Sequence, residues 1–314
     1  MLLEPILGGM KSCVPFLSQF KGTGGSVGAR YCYSVWLRHL ALIGTSFPGH
    51  IPRYVVEFGP GDSVGTGITA LLTGSLRYFA LDVVEHANRA ANLAVFDEVY
   101  ELVKSRSNIP DDQEFPRLFP RLSSYGFSTA ILQEINPTTT SAQARASSIR
   151  RQLGGEVTDT EYFRYVCPWR QTLDIAGESI DLVLGQVALQ DMDDRSDDDV
   201  LASAFQASAR WLRRGGLFSQ QIDLSMPGAR YWNDHWTYPD PVWRVVRGRR
   251  PYYINRAPLS RYTELCNAHG LSVVKLDPII DLHGLPRKSL TKRFRTLTDS
   301  DLITRGVYLL AVKT

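Results

Sequence analysis

Cysteine is scarce in this 314-residue chain, and its four copies, Cys13, Cys32, Cys167 and Cys266, lie far apart. No CxxC pair and no Cys/His cluster occurs, which argues against a zinc site and against a disulfide framework, and fits a reducing compartment. No run approaches the roughly 18 to 20 apolar residues of a membrane span. The opening stretch, Met1 to Phe16, lacks a basic leading region and holds Glu4, Pro5, Gly8, Gly9 and Lys11, so it does not read as a signal peptide, and the expected location is cytoplasmic. Low-complexity tracts and solenoid-spaced repeats are missing too, which removes disordered and repeat architectures. Net charge is small at +3, but residues 241–314 carry 14 Lys and Arg against 5 Asp and Glu, while the preceding 240 carry 21 against 27. A basic tail of this kind leaves open an anionic partner or a peripheral contact with a membrane surface, as well as a merely solvated face.

What is present is a 44% hydrophobic, 21% charged composition, typical of a globular protein able to bury a full core. Arg53 to Phe58 is a β-branched and aromatic run that stops at Gly59-Pro60-Gly61, and Ile68 to Leu72 has helical character. A second buried strand, Leu76 to Leu81, ends at Asp82, completing a βαβ unit, and Ala87 to Arg106 has helical composition. Residues 107–160, punctuated by Pro110, Pro116, Pro120 and Pro137, read as a helical insertion. Strands resume at Tyr162–Cys167 and Ser179–Leu184. A helix is expected from Ser196 or Asp197 through Leu212, with Asp197, Asp198 and Asp199 at the positive end of its dipole, followed by a strand at Leu217–Ile222. Met226 to Pro258, rich in Trp, Tyr, Pro and Arg, reads as an ordered loop or lid. A helix at Ser260–His269 and strands at Leu271–Leu276 and Gly306–Val312 close the chain.

The expected organisation is therefore an N-terminal segment 1–50, a cofactor-binding core at 51–106 and 161–225, the insertion 107–160, a lid or acceptor segment 226–258, and the end of the core at 259–314. The fold class is α/β, a doubly wound, mostly parallel sheet.

Glu57-Phe-Gly-Pro-Gly-Asp-Ser-Val-Gly65 is the most informative segment. Glycines at a strand-to-helix turn let the backbone approach a ligand closely. In the dinucleotide fingerprint the third glycine stands five positions after the first, yet position 64 is Val64. Asp62 would also repel a pyrophosphate resting on the helix N-terminus. A cofactor without phosphate and with positive groups suits such a loop better. Asp82, 21 residues after Gly61, stands where an acid accepts hydrogen bonds from ribose hydroxyls in doubly wound folds.

Glu57-x-Gly59-x-Gly61, Asp82, the segment Ser179 to Leu189 and Trp211-Leu-Arg-Arg-Gly-Gly216 together resemble the ordered motif series of class I methyltransferases with a seven-stranded Rossmann-like sheet, over residues 51–224. Gln221-Ile-Asp223, Tyr231 to Trp236 and Tyr253-Ile-Asn-Arg256 further resemble a bacterial group found beside genes for surface-polysaccharide assembly. The resemblance implies S-adenosylmethionine as cofactor. It implies Gly59 and Gly61 against the methionine part, Glu57 at the amino group, Asp82 on the ribose and Gln186 near the methyl group and acceptor. Gln190-Asp191 stands where the family commonly carries Glu-His.

Methyl transfer to an alcohol needs a base for the hydroxyl proton. His235, among Trp232, Asn233, Asp234 and Trp236, is the best candidate, with a packed or surface histidine as its alternative, and Asp191 is the second. Asp191, Asp193 and Asp194 could also join His235 around a cation, although without regular ligand spacing no metal is expected. Tyr231, Trp232, Trp236, Tyr238 and Trp243 could stack on a sugar or form core. The expected acceptor is a sugar, nucleotide-sugar or lipid-linked glycan, or alternatively a small metabolite, with an RNA methyltransferase or nucleic-acid-binding protein and a non-catalytic binding module as the less favoured readings. No RNA-binding module is legible, and nucleic acid is not an expected partner.

Overall fold

The computed structural model describes residues 3–13, 26, 28–127, 139–157, 161–170, 174–193 and 199–314. Strands β1 (Tyr54–Phe58), β2 (Arg77–Leu81), β3 (Phe163–Val166), β4 (Ile180–Gln186), β5 (Leu212–Asp223), β6 (Leu271–Ile280) and β7 (Thr304–Lys313) form one sheet in the order β3-β2-β1-β4-β5-β7-β6. β1 is parallel to both β2 and β4, and β2 to β3. The nearly unbroken apolar runs of β1 and β4 fit this arrangement, because parallel strands are covered on both faces. The flanking helices are α1 (Leu3–Ser12), α2 (Ala29–Ser46), α3 (Gly65–Leu72), α4 (Arg89–Lys104), α5 (Thr140–Leu153), α6 (Val200–Trp211), α7 (Asp240–Arg247), α8 (Leu259–Ala268) and α9 (Asp299–Ile303). None of the described helices is long and apolar enough to cross a membrane.

The chain divides into two compact units that interleave in sequence. One comprises Gly22–Gln186, Arg210–Ser219 and Val312–Thr314; the other comprises Met1–Lys21, Val187–Ala209 and Gln220–Ala311. In the former, α2 is buried along most of its length, and its Trp36 donates to the Thr73 hydroxyl at 2.8 Å. In the latter, Gly9 lets α1 meet α7, since a Cβ there would stand 1.9 Å from the Val245 carbonyl oxygen.

Three segments differ from the sequence reading. Residues 107–160 are not a helical insertion throughout: among the described residues α5 is the helix, and residues 107–127 lack regular structure. The reason lies in Pro110, Pro116 and Pro120, which have no N–H to give a helix. The buried guanidinium of Arg38 supplies donors instead, to the carbonyls of Pro110, Leu118 and Pro120, the Asp112 carboxylate and the Ser34 hydroxyl. Pro137 lies outside the described residues. β5 begins at Leu212, before the glycine pair expected to separate helix from strand. Gly215 takes φ +76°, and a Cβ on Gly216 would stand 2.8 Å from the Arg213 carbonyl oxygen, so both glycines accommodate tight backbone inside the strand. Asp199 caps α6 by accepting from the Ala202 N–H at 2.9 Å, whereas Ser196, Asp197 and Asp198 lie outside the described residues. Finally, 226–258 contains a one-turn 3-10 helix at Asp234–Thr237 as well as α7, and Met226, Tyr238, Trp243, Val246 and Ile254 pack as a core cluster.

Candidate active site

β1 is the strand from which the chain leaves in both directions, toward β2 and β3 first and later to β4. In open α/β sheets the crevice outside the carboxyl ends of strands at such a switch point receives ligands. Register places Phe58 opposite Leu81 on one side and Gly185 on the other. The turn after β1 therefore lies level with Asp82 and Gln186. Gly59 and Gly61 adopt φ +66° and +77°, which glycine reaches without the steric cost a Cβ brings. The Gly59 N–H donates to the Leu81 carbonyl at 2.9 Å, tying the turn to β2.

Asp82, 8% exposed, accepts from the Val83 N–H at 2.7 Å and the Val84 N–H at 3.4 Å, and the Gly61 N–H also reaches its carboxylate. Burial raises its pKa, and these donors oppose the rise. A carboxylate has about four acceptor positions, so capacity remains for a ligand hydroxyl. Glu57 is buried and accepts from the Tyr78 hydroxyl and from Thr66; burial still pushes its carboxyl up to about 7. Tyr78, on the strand paired with that of Glu57, packs its ring against α3 where position 67 is glycine: a Cβ there would stand 2.2 Å from the ring.

The amides ahead of α3 are already engaged. Ser26 Oγ accepts from the N–H groups of Asp62 at 2.6 Å and Ser63 at 3.3 Å. Asn92 Oδ1 accepts from Val64 at 3.0 Å, and Ser63 Oγ from Gly65 at 3.1 Å. The donors that would cradle a pyrophosphate at a helix N-terminus are thus taken by the protein itself.

Gln186 ends β4, but its side-chain amide is also occupied: Nε2 donates to the Phe119 carbonyl at 2.9 Å and Oε1 lies 3.0 Å from His39 Nε2. His39, on α2, was not singled out in the sequence. Its Nδ1 lies 2.8 Å from Ser219 Oγ, and burial pushes its pKa down to about 4, so the neutral ring donates to Gln186 from Nε2. A histidine inside an apolar helical stretch, Trp36 to Ile43, was the available signal.

In the other unit, β4 is followed by Val187, a β-branched residue at φ +55°, a conformation that costs about 1–3 kcal/mol and tends to occur at functional sites. Its N–H donates to the Gln221 carbonyl at 2.8 Å. The one-turn 3-10 helix Leu189–Asp191 comes next, clamped by Asn255, whose N–H donates to the Gln190 carbonyl at 2.6 Å and whose Nδ2 donates to the Leu189 carbonyl at 2.9 Å. Asp191 is half-buried, and burial together with the charge of Asp223 pushes its carboxyl up to about 7. A carboxyl poised near neutrality is what a general base needs.

His235 is placed differently. It is 1% exposed, between Trp236 and Trp243 with ring centroids 5.2 and 6.4 Å away, and burial and the Arg256 charge push its pKa down to about 3. That is the setting of a packed histidine. Trp232, Trp236, Tyr238 and Trp243 are likewise buried, whereas Tyr231 and Tyr253 keep partial exposure. Asp193 faces Arg247, with Nε and Oδ2 3.6 Å apart, and Asp194 lies outside the described residues. No His/Cys/Asp/Glu group able to hold a metal ion occurs among the described residues.

No protein-family model matches the chain, and no curated protein matches it. Similar solved structures include an S-adenosylmethionine dependent methyltransferase from Mesorhizobium loti, 11% identical, covering 89% of this chain and 98% of that one, with a TM-score of 0.43. Another is the geranyl diphosphate C-methyltransferase from Streptomyces coelicolor A3(2), in complex with Mg2+, geranyl diphosphate and S-adenosyl-L-homocysteine. It is 10% identical, covering 88% of this chain and 78% of that one, with a TM-score of 0.42. Identities and scores this low leave the function to the geometry.

Proposed function

We propose that the chain is an S-adenosylmethionine-dependent methyltransferase that modifies a hydroxyl of a sugar, nucleotide-sugar or lipid-linked glycan. The observation that carries the cofactor reading is the engagement of the amides of residues 62–65 by Ser26, Asn92 and Ser63. A dinucleotide needs those amides for its pyrophosphate; a cofactor without phosphate does not. Bound there, S-adenosylmethionine supplies a methyl group on a sulfonium carbon for in-line displacement. Asp82 accepts from its ribose hydroxyls, and the Gly59–Gly61 turn admits its methionine part without a Cβ in the way. Glu57, held by Tyr78 and Thr66 at the end of β1, would help hold the cofactor's amino group. Gln186 positions the end of β4 through His39 and Phe119.

Asp191 takes the hydroxyl proton of the acceptor, because it combines partial exposure with a pKa of about 7. His235 serves the aromatic core beside it in sequence and is not assigned the base role. Tyr253, partly exposed, stacks on Trp243 and carries the Arg250 guanidinium over its ring, and its pKa is raised by burial first and then by the charge of Asp191.

Calorimetric titration with S-adenosylmethionine and S-adenosylhomocysteine tests this reading. Micromolar binding is expected, with Asp82→Ala weakening it about 10- to 100-fold, the scale of hydrogen bonds to a charged group. Folded wild-type protein that binds neither compound, or binds NAD instead, overturns the proposal.

A further inference from the structure

Asp191 has polar neighbours in its own unit, Gln190 and Asp223. Gln190, 4% exposed, donates from Nε2 to Asp191 Oδ2 at 3.4 Å, which leaves its Oε1 buried without a hydrogen-bond partner. Asp223, exposed at the end of β5, lies close enough for its charge to act on Asp191. Gln221, two positions before Asp223 and so on the same face of β5, is 2% exposed. Its Nε2 donates to the Ile222 carbonyl at 3.3 Å, and its Oε1 also has no partner. Tyr262 does not fill the need, because its hydroxyl donates to Asn255 Oδ1 at 3.2 Å. The neighbouring cations are committed elsewhere: Arg247 to the Arg250 and Asp193 carbonyls, Arg256 to the Tyr238 carbonyl and Asp240.

Asp191, Asp223 and the Gln190 amide oxygen thus present acceptors in excess of donors, and β5 adds a second unpartnered amide oxygen at Gln221. A buried acceptor left unpaired costs about 1–3 kcal/mol. A ligand rich in N–H and O–H groups relieves that cost, and a positive one also relieves the mutual repulsion of Asp191 and Asp223. An anion would add to that repulsion.

We propose that this cluster recognises an ammonium group on the acceptor, so that the substrate is a hydroxyl-bearing amine of the amino-sugar class. Asp223 pairs with the ammonium, leaving Asp191 for the neighbouring hydroxyl. The charge of the bound amine also draws Asp191 toward its ionised form, so the base is completed by the substrate that needs it. The inference rests on the methyl-transfer reading and narrows its acceptor, setting aside acceptors whose phosphate would face Asp223.

The test is calorimetry on the full chain, with and without saturating S-adenosylhomocysteine, using glucosamine and N-acetylglucosamine as probes at pH 7. Glucosamine is expected to bind at least tenfold more tightly than its acetylated counterpart. Asp223→Asn should remove the preference while S-adenosylhomocysteine affinity stays as in wild type, which also certifies that the variant is folded. Equal affinities, no glucosamine binding, or a preference that survives Asp223→Asn overturns the inference. Failure of S-adenosylhomocysteine to bind instead strikes the cofactor reading, and the amine preference without it is scored separately.

Discussion

As the proposed base, Asp191 stands between two demands, since a base must be ionised to act while burial and Asp223 favour its neutral form. The rate of methyl transfer should therefore rise with pH up to about 7 and level off above, as the ionised fraction saturates. Asp191→Asn should lower kcat by about 10²- to 10⁴-fold with cofactor affinity unchanged; a variant with near wild-type turnover would remove Asp191 from the chemistry. Gly67 makes a different kind of demand. A methyl group there meets the Tyr78 ring that also donates to Glu57, so the ring must move and the buried carboxyl loses a partner. Gly67→Ala should cost about 1–3 kcal/mol in urea unfolding, and an unchanged midpoint would show that the ring gives way freely. The two glycines of the turn were legible as a motif. Gly67 was not, because its constraint comes from Tyr78, eleven positions away and on another element.

At the scale of elements, Arg38 shows how a helix organises a segment that has no regular structure of its own. Its guanidinium serves carbonyls that proline-rich chain cannot pair internally, with the Tyr125 ring 4.9 Å away. Arg38→Met should cost about 3–5 kcal/mol, the range for removing one member of a buried ionic network. Amide exchange should accelerate in residues 107–127 before the strands. Uniform protection after the substitution would mean that the segment is held by packing alone. Smaller in scale, Thr298 and Asp301 form a capping box at α9, and Thr298→Ala should cost about 1 kcal/mol by the same unfolding measurement. Most strands were readable because apolar runs bounded by glycine, proline or aspartate mark them locally. The Arg38 network was not, since an arginine in a helical stretch reads as solvent-facing until its tertiary partners are known.

Across the whole molecule, Glu57, Asp191, His39 and His235 carry large pKa shifts through which stability follows pH. Glu57 and Asp191 have folded pKa values raised to about 7, so the folded state holds extra protons, and their contribution, full below about pH 4, is lost as pH rises through 7. His39 and His235 have folded values lowered to about 4 and about 3. Their contribution is present above the unfolded value near 6.5 and is lost as pH falls toward those folded values. Between about pH 4.5 and 6.5 the two pairs oppose each other, and stability should vary little for these groups. A Glu57→Gln/Asp191→Asn double variant should instead gain stability with rising pH across that window, as urea unfolding at several pH values would reveal; a flat profile would contradict the balance. The sequence alone determined the alternation of strands and helices, the glycine turn after β1 and the acid after β2, because each is a local pattern of spacing and backbone freedom. It favoured His235 as the base, with Asp191 as the second candidate. Only the tertiary structure separated them, by sealing His235 among tryptophans and leaving Asp191 partly exposed near the charge of Asp223, since burial and neighbouring charge depend on residues remote in the chain.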